Sequence, residues 1–346
     1  MDSEALKTEI DEVQKTPIVF ILGCPRSGTT LLQSSLNAHP NIIAPPESQF
    51  INLFYPRFGK IKHMNADSIS EFVNTLFCEP LFSNLWLLNK AQIEEKLASV
   101  AEYLDYPLLC KMLFYQMREN KEKVLLICDK NPRYSLFAKK LLKIFPEARF
   151  IHIIRDPRDN VNSNIKRLNK KNTFFLARQW LGFNICIENM KRRFPNKFFT
   201  IIYEDMVRNP ENTFIPLCEY LAVPYNDAML NHQFPERLQM YEGQKAYKRA
   251  KTAHQNLLQP INTSNIGKWK NEMSEPDRTI TEIITAKFAN KYYRYNIEPY
   301  QKNSPKISPV RLFKSWIQYT LWQFFTRMRF KNYAFNKWYY INKKKF

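Results

Sequence analysis

The sequence predicts a three-layer α/β/α fold with a central parallel sheet, followed by a basic helical tail. Short apolar runs alternate along the chain with longer stretches of helical periodicity. The runs are apolar at nearly every position, as expected for parallel strands that helices cover on both faces. The predicted strands are residues 17–22, 123–128, 149–154 and 198–203.

Helical patterns fill the stretches between these strands, and prolines fall at their ends. The predicted helices are residues 28–38, 68–77, 91–104, 134–145, 159–168, 173–193, 211–221 and 276–294. Prolines interrupt the pattern near residue 300, and acidic residues stop there. We therefore divide the chain into an N-terminal extension (1–15), a main domain (16–300) and a basic, aromatic, amphipathic tail (301–346).

Composition excludes several classes of protein. The 45% hydrophobic content rules out a wholly disordered chain. The six cysteines are scattered without a CxxC pair, and with five histidines they offer no zinc spacing. The first residues are acidic, and no apolar run reaches the roughly 18 residues of a membrane span, so we expect a cytoplasmic protein. A net charge of +20 implies anionic partners.

Two of the six glycines, Gly23 and Gly28, frame a loop between a predicted strand and a predicted helix. A loop in this position offers backbone N–H groups and a positive helix end to an anion. The spacing fits a nucleotide triphosphatase loop as far as Gly28, but Thr29 replaces its lysine, which argues against ATP or GTP hydrolysis. Arg26 supplies another cation. The alternative is a glycine turn that only caps the helix.

The run PRSGTTLL at residues 25–32 resembles the 5′-phosphosulfate loop of sulfotransferases that use 3′-phosphoadenosine 5′-phosphosulfate (PAPS). It is similar above all to the tyrosylprotein sulfotransferases and related bacterial families. The resemblance implies a P-loop NTPase-like fold, PAPS as donor, adenosine 3′,5′-bisphosphate as product, and no metal. It assigns the 5′-phosphosulfate to Arg26, Ser27, Gly28, Thr29 and Thr30.

Two further segments match the family in the expected order. Arg155 ends a predicted strand, and Ser163 follows eight residues later on the next helix, so the two can converge on one phosphate. The resemblance assigns them the 3′-phosphate, and Arg167 matches a further arginine on that face. The segment Ile266-Gly267-Lys268-Trp269 looks like the family's closing segment, which closes over the nucleotide. The further residues that match nucleotide contacts are Tyr203, Asn262 and Lys268.

Sulfuryl transfer needs a base for the acceptor hydroxyl and donors that stabilise developing negative charge. The resemblance places Glu47 as the base, with Lys130 and Arg26 as the stabilising cations. The alternatives are a structural carboxylate at Glu47 and a solvated lysine at Lys130. Structural roles are favoured for His39 and His152, and both histidines remain alternative candidates for the base. Pro46 stands where the tyrosylprotein branch has a second acid, so a protein-tyrosine acceptor is not implied.

The tail carries 11 Lys/Arg, no Asp/Glu and 13 aromatic residues between residues 301 and 346. It contains an apolar stripe at helical spacing, formed by Val310, Phe313, Ile317, Leu321, Phe324 and Met328. One hypothesis is that residues 310–346 bind an anionic membrane surface at the inner face of a membrane. The other is that the helix packs on its own domain. No nucleic-acid module accompanies the charge, so nucleic acid is not expected.

Together with these patterns, the resemblance implies a metal-independent sulfotransferase that moves the sulfuryl group of PAPS in line to a hydroxyl acceptor. A carbohydrate, lipid or other small-molecule hydroxyl is favoured over protein tyrosine, and a homodimer is a further hypothesis. The alternative is a non-catalytic nucleotide-binding protein that binds a membrane or nucleic acid.

Overall fold

The computed structural model describes residues 3–118, 123–168, 172–231, 259–298 and 309–334. Within these ranges one sheet contains five strands in the order β2-β3-β1-β4-β5, and every neighbouring pair is parallel. The predicted α/β architecture is confirmed. The strands are β1 (Ile18–Leu22), β2 (Ile42–Ile43), β3 (Leu126–Lys130), β4 (Arg149–Ile154) and β5 (Phe198–Ile202).

Helices cover both faces of this sheet. The first seven are α1 (Ser3–Lys15), α2 (Thr29–Ala38), α3 (Phe50–Phe58), α4 (Ala66–Phe77), α5 (Pro80–Leu85), α6 (Lys90–Ala98) and α7 (Tyr106–Tyr115). The next five are α8 (Ala138–Ile144), α9 (Pro157–Leu168), α10 (Thr173–Arg193), α11 (Tyr203–Arg208) and α12 (Pro210–Leu221). The last three helices within the described ranges are α13 (Trp269–Glu272), α14 (Glu275–Tyr293) and α15 (Pro309–Lys331).

Both faces of β1 are buried, which explains its uninterrupted apolar sequence. Val19 and Ile21 pack into a cluster with α2, α11 and α12, whereas Ile18, Phe20 and Leu22 pack into a larger cluster with α1, α3, α4 and α7. The two clusters are the two outer layers of the sandwich. Because β1 lies in the middle of the sheet, the loop that follows it stands at the centre of the carboxyl edge.

Most predicted elements agree with the structure, and the differences have local causes. The second predicted strand, 123–128, lies at Leu126–Lys130, because the polar Asp129 and Lys130 continue the strand beyond its apolar run. The helix predicted over 91–104 ends at Ala98, and a 3₁₀ turn follows at Ala101–Tyr103. The helix predicted over 134–145 is likewise shorter, Ala138–Ile144, after a 3₁₀ turn at Pro132–Leu136.

Both ends of the described chain pack on the domain. Ile10 and Val13 of α1, which lies in the predicted N-terminal extension, are buried in the larger core cluster. Phe330 of α15 is buried in the same cluster. No helix within the described ranges is long and apolar enough to cross a membrane.

Candidate active site

The predicted site residues lie at or just beyond the carboxyl ends of several strands: Lys130 ends β3, Arg26 follows β1, Arg155 follows β4 and Tyr203 follows β5. Ile21 near the end of β1 is level with Lys130 at the end of β3. Leu22 is level with His152 of β4, and β4 leads directly to Arg155. In a parallel sheet all the following segments leave from one edge, which is where ligands bind in open α/β folds. The topology therefore brings residues from distant parts of the sequence to one edge.

The loop after β1 contains residues in the left-handed backbone conformation, which few residue types adopt readily. Gly28 has φ 93° and precedes α2 as its N-cap, and Arg26 has φ 73°. A Cβ on Gly28 would lie 2.4 Å from the ring of Tyr203, and one on Gly23 would lie 2.5 Å from the carbonyl oxygen of Ile153. Both glycines are therefore required by close packing, and Gly28 also by its dihedral angle.

Two asparagines on α9 support this loop from one side. Asn160 Nδ2 donates to the carbonyl oxygen of Pro25 at 2.9 Å and to Ser27 Oγ at 3.0 Å. Asn164 Nδ2 donates to the same Pro25 oxygen at 3.3 Å. The two residues are one helical turn apart, so they present their amides to the same loop. Neither residue was predictable from the sequence, because amides on a helix carry no signal until the partner loop is known.

Three arginines converge beside the loop. Arg26 Nε donates to Ser163 Oγ at 3.1 Å, and Arg155 Nη1 donates to the carbonyl oxygen of Arg26 at 3.1 Å. The Arg155 guanidinium lies 4.7 Å from the centre of the Tyr203 ring. Burial, together with the positive charges of Arg167 and Arg155, lowers the pKa of Arg26 to about 10. The structure thus groups five of the residues that the resemblance assigned to the nucleotide.

Arg155 also has an unused donor. Its Nη2 donates to the carbonyl oxygen of Asn265 at 2.5 Å, but its buried Nε has no hydrogen-bond partner within the described part of the chain. A buried guanidinium N–H without a partner is costly, and an anion would satisfy it.

The segment before α13 is fastened over Arg155 by a carboxylate that sequence analysis did not single out. The carboxylate of Asp159 accepts hydrogen bonds from Gly267 N at 2.6 Å and Trp269 N at 3.0 Å. Burial raises the pKa of Asp159, although these N–H groups act in the opposite direction. Gly267 has φ 72°, and no atom lies within 4 Å of where its Cβ would be. Asp159 therefore fixes the predicted closing segment.

Asn262 and Lys268 lie in or beside this segment. Asn262 Oδ1 accepts from Ser264 N at 3.0 Å and from Ser264 Oγ at 2.5 Å, which forms a local turn. Lys268 precedes α13 and is half-buried. The structure shows no hydrogen bond from either side chain to Arg155 or Ser163, all four being described residues.

The two predicted reaction-centre residues are in direct contact. Lys130 Nζ lies 2.7 Å from Glu47 Oε2. Glu47 is therefore paired with a lysine, and that lysine is the other candidate catalytic residue.

The loop that carries Glu47 is held at three points by hydrogen bonds to its backbone. The Gln33 side chain donates to the carbonyl oxygen of Pro45. Trp86 Nε1 donates to the carbonyl oxygen of Pro46 at 3.0 Å, and Asn131 Nδ2 donates to that of Ser48 at 2.5 Å. The position of Glu47 is therefore fixed from both sides along the chain.

A buried carboxyl group lies beside this pair. Asp129 is fully buried, and neither of its Oδ atoms has a hydrogen-bond partner among the described residues. Burial, and to a smaller extent the negative charge of Glu47, raises the pKa of Asp129 to about 8, while the positive charge of Lys130 opposes the shift. Sequence analysis gave Asp129 no role.

Both backup histidines have their ring nitrogens occupied. His152 is buried in β4 and its Nε2 lies 2.9 Å from Asn184 Oδ1, and burial lowers its pKa to about 4. His39 Nδ1 accepts from Asn41 N at 3.0 Å, and Nε2 lies 2.7 Å from the carbonyl oxygen of Pro224. Their contacts are those of structural residues.

The fold is of the P-loop NTPase-like α/β class, and the cluster of cations at the carboxyl edge of its sheet is a candidate anion site. Residues 17–227 match the profile of the Sulfotransferase family, and the chain belongs to that family. The predicted family and fold are thereby confirmed.

Similar proteins support the assignment. Protein-tyrosine sulfotransferase 1 of Danio rerio is 30% identical over 259 residues, which cover 73% of this chain and 65% of that protein. Protein-tyrosine sulfotransferase of Drosophila melanogaster is 26% identical over 263 residues, covering 74% and 47%. The chain thus spans less than two thirds of the length of either relative.

Two solved structures share the fold. The sulfotransferase domain of the Synechococcus PCC 7002 olefin synthase aligns with a TM-score of 0.54 and 22% identity, over 79% of this chain and 94% of that domain. The sulfotransferase domain from the curacin biosynthetic pathway aligns with a TM-score of 0.52 and 23% identity, over 79% and 98%.

Proposed function

We propose that the protein transfers the sulfuryl group of PAPS to a hydroxyl acceptor. The observation that carries this proposal is the contact network that joins Arg26, Arg155 and Ser163 beside the N-terminus of α2. PAPS has anionic groups on both sides of its ribose, and this network offers two guanidinium groups, a hydroxyl and a positive helix end to them. The buried Nε of Arg155, which has no hydrogen-bond partner among the described residues, supports an anion at this position.

The residues divide between the two anionic ends of the donor. The loop residues from Arg26 to Thr30 would hold the 5′-phosphosulfate with backbone N–H groups and the Arg26 guanidinium. Arg155, Ser163 and Arg167 would hold the 3′-phosphate. The nucleoside would lie against the residues Tyr203, Asn262 and Lys268.

The reaction assigns opposite roles to the two members of the ion pair. The Glu47 carboxylate takes the proton of the acceptor hydroxyl, whose oxygen bonds to sulfur while the bond between sulfur and the bridging oxygen breaks. The electron pair of that bond leaves with adenosine 3′,5′-bisphosphate. The Lys130 ammonium orients Glu47 and stabilises the negative charge that develops on the leaving oxygen.

The acceptor we propose is a carbohydrate, lipid or other small-molecule hydroxyl. A peptide tyrosine is the second candidate, because both relatives described above are named protein-tyrosine sulfotransferases. Pro46 argues against a tyrosine acceptor, because it stands where the tyrosylprotein sulfotransferases are expected to have a second acidic residue. Labelled PAPS offered with a tyrosine peptide, glycans and lipids in parallel distinguishes the two.

The donor assignment is tested by calorimetry with adenosine 3′,5′-bisphosphate and adenosine 5′-monophosphate. The wild-type protein should bind the bisphosphate at least about 100-fold more tightly. Ser163→Ala and Arg155→Ala should each lower this ratio about 10-fold or more. The ratio of affinities separates loss of the 3′-phosphate contact from a general disturbance of the loop. Arg192→Ala, at the exposed end of α10, is the control. Equal wild-type affinity for the two nucleotides would contradict the proposal.

A further inference from the structure

Helix α15 is fixed to the domain by one of its faces. Trp322 stacks on Phe183 of α10 with ring centres 6.1 Å apart, and Phe330 stacks on Phe137 at 4.4 Å. Lys140 Nζ donates to the carbonyl oxygen of Phe330 at 2.9 Å. These contacts set the rotation of the helix about its axis. The direction of the opposite face is therefore set as well.

That opposite face is strongly apolar and exposed. Phe313, Leu321 and Phe324 are 60%, 50% and 56% exposed, and their spacing places them on one side of the helix. Among the side chains of this helix that the structure describes, the other large exposed hydrophobic ones are Val310, Trp316, Ile317 and Phe325. Elsewhere in the described ranges such residues occur singly, for example Leu87 and Ile283. A contiguous patch of this kind marks an interaction surface.

The positive charge beside this surface indicates which kind of partner it binds. Lys314, Arg327 and Lys331 are exposed on or beside the apolar face, and no acidic residue occurs in the helix. A second copy of the chain packed on the same face would bring these cations together without a counter-charge. An anionic lipid surface supplies both negative charge and an apolar layer, and aromatic rings such as that of Trp316 favour the boundary between the two.

We propose that α15 docks the protein on an anionic membrane surface. Its outer face, defined by Phe313, Leu321 and Phe324, enters the boundary between head groups and acyl chains, while Lys314, Arg327 and Lys331 contact anionic head groups. The inner face keeps its contacts with α10 and Phe137. This inference does not depend on the reaction, because no residue of the candidate site takes part in it.

The test is flotation of the full-length chain with vesicles of phosphatidylcholine, with and without about 30% phosphatidylserine. The wild-type protein should float with the anionic vesicles, and its partition should fall when salt is raised from about 0.1 M to about 0.5 M. The triple variant Phe313→Ser/Leu321→Ser/Phe324→Ser should partition at least about 10-fold more weakly. The control variant Leu87→Ser/Ile215→Ser/Ile283→Ser removes three hydrophobic side chains that are 40%, 40% and 46% exposed on other helices or loops, and should partition as the wild type does.

Three results would overturn the proposal. Sedimentation could show a dimer that only the helix variant dissociates, which would assign the face to a second copy. The helix variant could melt well below the control variant, which would mean that the chain itself covers the face. Tight binding of an oligonucleotide, lost in the helix variant while neither protein floats with vesicles, would assign the face to nucleic acid.

Discussion

Lys130 Nζ and Glu47 Oε2, 2.7 Å apart, join the end of β3 to the loop that precedes α3. The two partners differ in exposure: the lysine side chain is 5% exposed and the glutamate side chain 26%. The ammonium is therefore anchored in the protein, while part of the carboxylate faces outward. This arrangement suits a base that must meet an external hydroxyl in a fixed orientation.

Replacing Glu47 with glutamine should abolish most of the transfer activity. Glutamine keeps an oxygen for Lys130 but cannot accept the proton, so we expect kcat to fall by about 10²- to 10⁴-fold. Affinity for adenosine 3′,5′-bisphosphate should change little. Glu71→Gln, which alters a surface glutamate paired with Arg57, is the matched control and should keep full activity. A fully active Glu47→Gln enzyme would place the base elsewhere, and absence of wild-type transfer with every acceptor would favour the non-catalytic alternative.

Gly28 and Gly267, the glycines with positive φ among the described residues, should respond differently to alanine. At Gly28 the new methyl group meets the Tyr203 ring in addition to the strained backbone, so the free energy of unfolding should fall by about 2–4 kcal/mol. At Gly267 the methyl group enters open space, and only the cost of the left-handed backbone conformation, about 1–2 kcal/mol, remains. Urea unfolding measures both. Equal losses would mean that Tyr203 yields without cost.

Asp159→Ala should loosen the segment that precedes α13. The N–H groups of Gly267 and Trp269 lose their acceptor, which costs about 1–3 kcal/mol locally. Amide exchange in residues 259–269 should accelerate, and affinity for the bisphosphate should fall if this segment closes over the nucleotide. Asp205→Ala, in the exposed part of α11, should change neither measurement. Unchanged exchange in Asp159→Ala would mean that other contacts hold the segment.

Asp129 should make the wild-type protein less stable as the pH rises. Its pKa is about 8 in the folded protein against a usual 3.8, so between about pH 4 and pH 8 the folded state keeps a proton that the unfolded chain has lost. The group then costs about 1.4 kcal/mol of stability per pH unit. Relative to wild type, Asp129→Asn should gain unfolding free energy across this interval and level off above it. A pH-independent difference would contradict the raised pKa.

Several of the elements that were not predicted lack a clear periodicity, although α1, with Leu6, Ile10 and Val13 at helical spacing, does not. Helix α7 is buried at nearly every position, so it has no polar face to give a helical period. Helix α3 contains Pro56, which reads as a helix end. Strand β2 is two residues long, Ile42–Ile43, too short for any strand pattern.

The candidate site divides in the same way. The roles of Arg26, Arg155 and Ser163 were predictable, because a loop between a strand and a helix is a local sequence signal of an anion site. Asn160, Asp159 and Asp129 were not, since each acts through a partner more than 80 residues away in the chain or through burial. In the tail, the predicted stripe is exposed except for the half-buried Met328, and the inward contacts of Trp322 and Phe330 were not predicted.

Arg155 ties together three stretches of chain that are distant in sequence. Its guanidinium bonds to the carbonyl oxygens of Arg26 and Asn265, and it lies over the ring of Tyr203 at the start of α11. If any one of these stretches moved away, the buried Arg155 guanidinium would lose a hydrogen-bond acceptor or its contact with the Tyr203 ring. The three should therefore fluctuate as a single cooperative unit rather than as independent loops. Binding of an anion to Arg155 would then affect three segments together: the loop after β1, the segment before α13, and helix α11.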